Sequence, residues 1–257
     1  MLGFSARMAM FCLALCGAGA AQAKDTITLC FERQEVLPWR TLNGGGLNFE
    51  LLNQVAARLD LAFDYQSMPW KRCLEQLGAN EVGGAFAVSY NKDRLKLGQF
   101  PPGAPADAKA RMHVDRYVLV RKKGSRLDWD GKVLRNAEGA IGIQLGYSVG
   151  EFLRGLNMQV DEGSQRASEL AQKLIAGRLA GAAIGGGDAV SLMNGPLASQ
   201  LEVLPIPLIE KPYFLLLSHA LVASNPQLAN RIWKTIEEVR TSAQYKKLQR
   251  EAEGGNH

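Results

Sequence analysis

Apolar residues recur along this chain at two-residue spacing, then at three-to-four-residue spacing, and the exchange repeats. That pattern predicts strands alternating with helices. Residues 26–31 read as a first strand. Asn48 can cap a helix whose apolar face is Phe49, Leu52, Val55, Ala56 and Leu59. Leu61, Phe63 and Tyr65 alternate with Ala62, Asp64 and Gln66, which predicts a second strand. Pro69 opens a second helix, with Trp70, Cys73, Leu74 and Leu77 on one side. A small-residue strand ends at Ser89. The order β-α-β-α-β is that of an open α/β sheet.

A Pro/Ala-rich loop over 100–110 precedes a strand at 117–120, and a second α/β run follows. Residues 141–143 are a strand and Gly146 makes the turn. Ser148 and Glu151 have capping-box spacing, and Phe152, Leu153 and Leu156 supply the helix face. Val160 falls in a short strand. Ala167, Leu170, Ala171 and Leu174 define a helix ending near Gly177. Residues 181–184 are a strand, and Gly185-Gly186-Gly187-Asp188 leads into a short helix. Strands are expected at 201–206 and 213–217. Two helices close the chain, one carrying Leu228, Ile232, Ile236 and Val239, the other Ala243 and Leu248.

Residues 1–23 break this pattern. Arg7, the apolar run 8–15 and the small residues around Gln22 have the form of a secretory signal peptide cleaved after Ala23. A periplasmic location is expected. Phe11 and Leu15, in front of Cys12 and Cys16, do not suit lipid attachment. Beyond the leader, Cys30 and Cys73 remain, and in an oxidising compartment they are expected to pair. The net charge of +5 is mild, and Lys and Arg are scattered, so nucleic acid is not an expected partner.

The stretch from Gly83 to Arg94 carries the first chemistry. A strand stops at Ser89, Asn91 can cap a short helical turn, and Arg94 follows. A hydroxyl, free amides and a planar guanidinium would then meet at a strand end, which suits a carboxylate; the other reading of this stretch alone is a turn with a solvated Arg94. The Gly146-Tyr147-Ser148 turn lies at the corresponding place in the second run, and ligands of α/β sheets sit beyond the carboxyl ends of strands.

Other chemistries find less support. His113, His219 and His257 are far apart and near no cysteine or carboxylate cluster, so no metal is expected. The glycine runs have neither dinucleotide nor P-loop spacing, so no cofactor is expected. Gly146-Tyr147-Ser148-Val149-Gly150 does match a nucleophile elbow, with Asp188 and His219 following in hydrolase order. No oxyanion segment lies upstream. The rival reading is that Ser148 caps a helix whose N-terminus faces an anion.

The leader, the Pro38-Trp39 loop, Leu47-Asn48-Phe49-Glu50-Leu51, Pro69-Trp70-Lys71-Arg72-Cys73-Leu74, the Ser89 to Arg94 spacing and Ala176-Gly177-Arg178-Leu179 occur together in order. In these the chain resembles the family 3 periplasmic solute-binding proteins, amino-acid receptors of ABC transporters. The resemblance implies two α/β lobes joined by a two-strand hinge and closing on a ligand, the type 2 periplasmic-binding fold. Lobe 1 would comprise 24–116 plus 213–257, and lobe 2 would comprise 117–212. It implies a monomer that binds a small carboxylate or amino acid, with an ABC-transporter membrane complex as partner and no catalysis. It further implies that Arg94 clamps a ligand carboxylate, that Ser89 contacts the ligand, and that Gly146, Tyr147 and Ser148 donate to the carboxylate. Trp39 and Trp70 would wall the pocket or serve the core. The family's usual ammonium-binding acid falls among Gly185 to Gly187 in this chain, which leaves Asp188 or Glu32 for that role, or a helix cap and a solvated acid instead. An enzyme on the same scaffold, or a sensor or accessory binding protein, is the alternative function.

Overall fold

The computed structural model describes residues 24–41, 43–103 and 105–254. The expected leader lies outside the described residues. The first part of the chain contains β1 (Thr26–Glu32), α1 (Leu47–Leu59), β2 (Ala62–Met68), α2 (Trp70–Gly78) and β3 (Gly84–Ser89). After β4 (His113–Lys122) come a small hairpin, β5 (Asp128–Trp129) and β6 (Leu134–Arg135), then β7 (Ile141–Gln144), α3 (Val149–Gly155) and β8 (Val160–Ser164). These are followed by α4 (Ala167–Ile175), β9 (Gly181–Gly185), α5 (Gly186–Met193) and β10 (Leu201–Val203). The chain returns through β11 (Ile209–Leu217) and ends in α6 (His219–Ser224), α7 (Pro226–Thr241) and α8 (Ala243–Gly254).

The main sheet runs β2-β1-β3-β11-β4-β9-β7-β8, with β10 on β4. Its outer parts are parallel, as crossover helices require, and its middle is antiparallel. The middle joins the two lobes. β11 pairs with β4 from Ile209 to Tyr213 and with β3 from Tyr213 onward. β4 pairs with β11 up to Tyr117 and with β9 beyond it. Two long strands therefore pass from one α/β lobe to the other, as the expected two-strand hinge does.

Each lobe has its own core. In lobe 1, Phe31, Phe49 and Phe86 meet at 5.1–5.3 Å between ring centroids, under α1 and α7. In lobe 2, Leu119, Ile141, Ile143 and Leu153 are fully buried. The periodicities that predicted these faces are the ones that are buried, since a helix or strand must hide one side.

The differences from expectation have local causes. Asn48 does not cap α1; the cap position falls on Gly46, at φ 104°. A Cβ on Gly46 would stand 2.8 Å from the Trp39 carbonyl oxygen, so only glycine lets the two backbones touch. Ser148 occupies the N-cap position of α3 without capping it, and Glu151 accepts from Asn91 at 2.8 Å instead of closing a capping box. The strand expected at 201–206 ends at Val203, because Pro205 and Pro207 have no N–H for the ladder. Three terminal helices replace two: Ser218 caps the short α6, and Asn225 caps α7 with Pro226 in its first turn. Asn91 does cap a 3-10 turn over Lys92–Lys96, accepting from Asp93 at 2.7 Å.

Cys30 on β1 and Cys73 on α2 form a disulfide with a Cα–Cα distance of 5.6 Å. The bond spans 43 positions and restricts the unfolded chain. Replacing both cysteines by alanine is expected to lower unfolding free energy by about 2–4 kcal/mol. Urea denaturation with and without a reducing agent measures this, and the reductant should shift only the parent protein.

Candidate functional site

Arg94 lies where the two lobes meet. The 3-10 turn after β3 turns its side chain inward, and its guanidinium is fully buried. Nη1 donates to the Ser89 carbonyl at 2.8 Å and to Ser89 Oγ at 2.9 Å. Nη2 donates to the Gly146 carbonyl at 3.0 Å, across the cleft. A guanidinium has five N–H donors, so Nε and one Nη2 hydrogen are left. The Trp70 ring lies 5.5 Å below the guanidinium carbon, a cation–π distance. Burial lowers the Arg94 pKa, and the groups that oppose this are tyrosines 117, 213 and 147, with no carboxylate among them. A buried cation without an acid is strongly disfavoured unless something anionic joins it.

The opposite wall belongs to the turn before α3. Ser148 Oγ is 2.7 Å from Ser89 Oγ and 3.2 Å from Lys211 Nζ, so a lobe 2 hydroxyl is held by lobe 1 and by β11. Tyr147 packs against apolar clusters of both lobes. These contacts hold the cleft shut. The cavity between the lobes measures about 60 Å³.

Three acids line the same cavity: Glu32, Asp115 and Asp188. Asp188 does not cap α5. Its Oδ2 accepts from Gln144 Nε2 at 3.2 Å, and burial pushes its carboxyl up to about 7. Asp115 comes from β4, accepts from its neighbour's N–H at 2.8 Å, and is pushed up to about 6, also by burial. A Cβ on Gly185 would lie within 4 Å of both carboxylates, so the two acids flank this strand end. Glu32 is not a solvated acid; it accepts from the backbone of Gln34 and Trp70, and burial raises its pKa.

A model of bacterial extracellular solute-binding proteins, family 3, matches residues 37–254. The chain belongs to this family. No curated protein is a significant match. Solved structures share the fold at low identity. An ancestral arginine-binding protein bound to glutamine is 18% identical with a TM-score of 0.68, over 90% of this chain and 99% of that one. A histidine kinase sensor domain similar to periplasmic binding proteins is 15% identical with a TM-score of 0.73, over 90% and 97%. The GluR0 ligand-binding core of Nostoc punctiforme in complex with L-glutamate is 13% identical with a TM-score of 0.67, over 88% and 98%.

In this family 3 protein, Glu32, Trp39, Trp70, Ser89, Arg94, Tyr147 and Asp188 all line the one cavity. Gly146 and Ser148 stand directly behind it, joined to Arg94 and Ser89. Trp39 and Trp70 wall the cavity and also belong to apolar clusters of lobe 1. The hydrolase order Ser148, Asp188, His219 does not assemble. His219 is exposed, and its ring bonds the Leu95 carbonyl at 3.0 Å, while Asp188 bonds Gln144.

Sequence reasoning missed the contribution of the hinge. His113, Asp115 and Tyr117 alternate along β4, and Lys211 and Tyr213 alternate along β11, so each strand turns one edge to the site. The two-residue spacing was the available signal, but a strand starting at 117 hides it. Arg40, in the loop after β1, was missed as well; it is buried beside Glu32 and Asp188. Ala87 lines the cavity at φ 57°, where the β3–β11 register shifts. That left-handed backbone disfavours residues other than glycine.

The buried acids make stability fall with rising pH. An unfolded aspartate ionises near pH 4, whereas folded Asp188 holds its proton to about 7. The folded state thus binds more protons between pH 4 and 7, and stability drops as pH rises through that window. Asp188→Asn should remove much of the drop. At pH 8 the unliganded variant is expected to be more stable than the parent, on the order of 2–4 kcal/mol, with the gap closing near pH 4. Urea titrations at both pH values check the sign.

Proposed function

We propose that this family 3 solute-binding protein captures a small carboxylate-bearing solute, an amino acid or a close relative, by closing its lobes over it. The observation that carries the reading is Arg94: a fully buried guanidinium with free donors and no acid beside it, at the place where the lobes meet. The acid pair Asp115 and Asp188, flanking Gly185, suits the solute's ammonium group. Similar folds that hold glutamine or L-glutamate support the amino-acid class. The secretory leader expected at residues 1–23 favours a periplasmic monomer that passes its solute to an ABC transporter. Binding alone, without catalysis, suits a Ser148 held between Ser89 and Lys211. Closure would bring the Gly146 turn and Asp188 of lobe 2 to a solute first docked on Arg94, and only the closed form would contact it from both sides.

A second reading has one observation behind it. The sensor domain that shares this fold supports a role in signalling to a membrane partner. Solute uptake by cells lacking the gene separates the two, since a transport receptor is needed for uptake and a sensor is not.

Arg94→Ala should weaken carboxylate binding by about 3–5 kcal/mol, roughly two to four orders of magnitude. Calorimetry across a panel of amino acids and small carboxylates tests it, and unchanged affinity would remove Arg94 from the site. Closure has its own test at Gly187. A methyl there would meet the Leu37 carbonyl oxygen at 2.4 Å and Val36 Cγ1 at 2.7 Å, both in the other lobe. Gly187→Ala is expected to weaken binding at least about tenfold through the closed state. Melting of the unliganded variant checks that both lobes still fold. Equal affinity would show that binding does not need this approach of the lobes.

A further inference from the structure

At the lobe 1 end of the cavity two side chains carry buried polar atoms that find no hydrogen-bond partner among the described residues. Asn48 is 1% exposed, and neither Oδ1 nor Nδ2 is bonded. His113 is 6% exposed, and its Nδ1 is unbonded. Both line the cavity. Native proteins rarely leave such groups unsatisfied. Asn48 is not needed as a helix cap, since Gly46 supplies the cap position of α1.

Trp39 positions both groups. Its carbonyl accepts the Asn48 backbone N–H at 3.0 Å. Its ring stacks on His113 at 4.2 Å and 16°, and Tyr213 stacks on the other face at 5.0 Å and 6°. The imidazole is thus clamped edge-on, with little freedom to turn toward another partner.

The chemistry of this end differs from that of the two charged ends. Asn48 offers one donor group and one acceptor, both neutral. His113 is also neutral, because burial and nearby Arg40 drive its pKa down to about 3. A cationic side chain would meet Arg40. A second carboxylate would find Arg40 already faced by Glu32 and Asp188. A group that both donates and accepts, and carries no charge, satisfies Asn48 and His113 together.

We propose that Asn48 and His113 form a specificity-determining subsite for an uncharged donor–acceptor group, a carboxamide or a ureido, on the side chain of the solute. The proposal rests on the carboxylate-binding reading above and narrows it.

Calorimetry on the full chain with L-glutamine, L-glutamate and L-norleucine tests it, on the parent protein, Asn48→Leu and His113→Phe. The phenylalanine keeps the ring stack and removes the ring nitrogens. The parent should prefer glutamine to each competitor by about a hundredfold or more, since a site with buried polar groups rejects an analogue that leaves them unpaired. In either variant the preference for glutamine over norleucine should fall to about tenfold or less. Glutamate or norleucine binding as tightly as glutamine would overturn the proposal. So would discrimination that survives both variants, which would leave the two side chains to water alone. Melting curves check folding, and if one variant unfolds the other decides. If none of the three probes binds while another carboxylate binds in an Arg94-dependent way, this inference falls and the broader reading stands. If no carboxylate binding depends on Arg94, both fall.

Discussion

A guanidinium taken out of water without a carboxylate beside it is the constraint on which this site depends. Arg94 is held by Ser89 on its own lobe and by the Gly146 carbonyl on the other. Carbonyl and hydroxyl oxygens satisfy donors but do not cancel a charge. The residual field at the lobe junction therefore favours an anion, and it does so only when the lobes are together. Closure and anion recognition are thereby coupled in one side chain. The stacked Trp70 face adds a contact that excludes water without neutralising the charge.

The opposite charge is gathered a few residues away, from a different source. Asp115 comes from the hinge strand β4 and Asp188 from the first turn of α5. Both are desolvated and both resist ionisation. A buried acid pair, with Arg40 beside Asp188, and a buried Arg94 with no acid beside it line the same cavity. Gly185 lies at the strand end beside both acids. The hinge strands are therefore part of the recognition surface as well as the axis of movement.

Much of this was legible in residues 83–94. The strand and the Asn91 cap follow from local rules, and the structure shows both; local rules alone left Arg94 in solvent, and the matching turn of the second lobe is what turns the reading inward. The lobe cores were legible too, because apolar periodicity reports which face is buried. Asn48 and Ser148 show the limit of local rules. Each has the residue type and spacing of a helix cap, and neither hydroxyl nor amide performs that role. Ser148 finds a partner from the other lobe, and Asn48 faces a cavity. Capping propensity describes a competition for hydrogen bonds in which distant groups also take part. The hinge residues were hidden for another reason. His113 and Asp115 lie in the polar first half of β4, and Lys211 stands beside Pro212 in β11, so these positions read as loop, while Tyr213 read only as the start of a strand.

The amino-acid sequence by itself determined the alternation of strands and helices, the pairing of Cys30 with Cys73, the family and the place of Arg94 just beyond a strand end. These depend on periodicity, on short-range capping and on residues close together in the chain. Tertiary structure alone decided the acid pair, the His113 clamp and the contacts that shut the cleft. Those groups stand up to about a hundred positions apart in sequence, and they meet only because two hinge strands cross between the lobes.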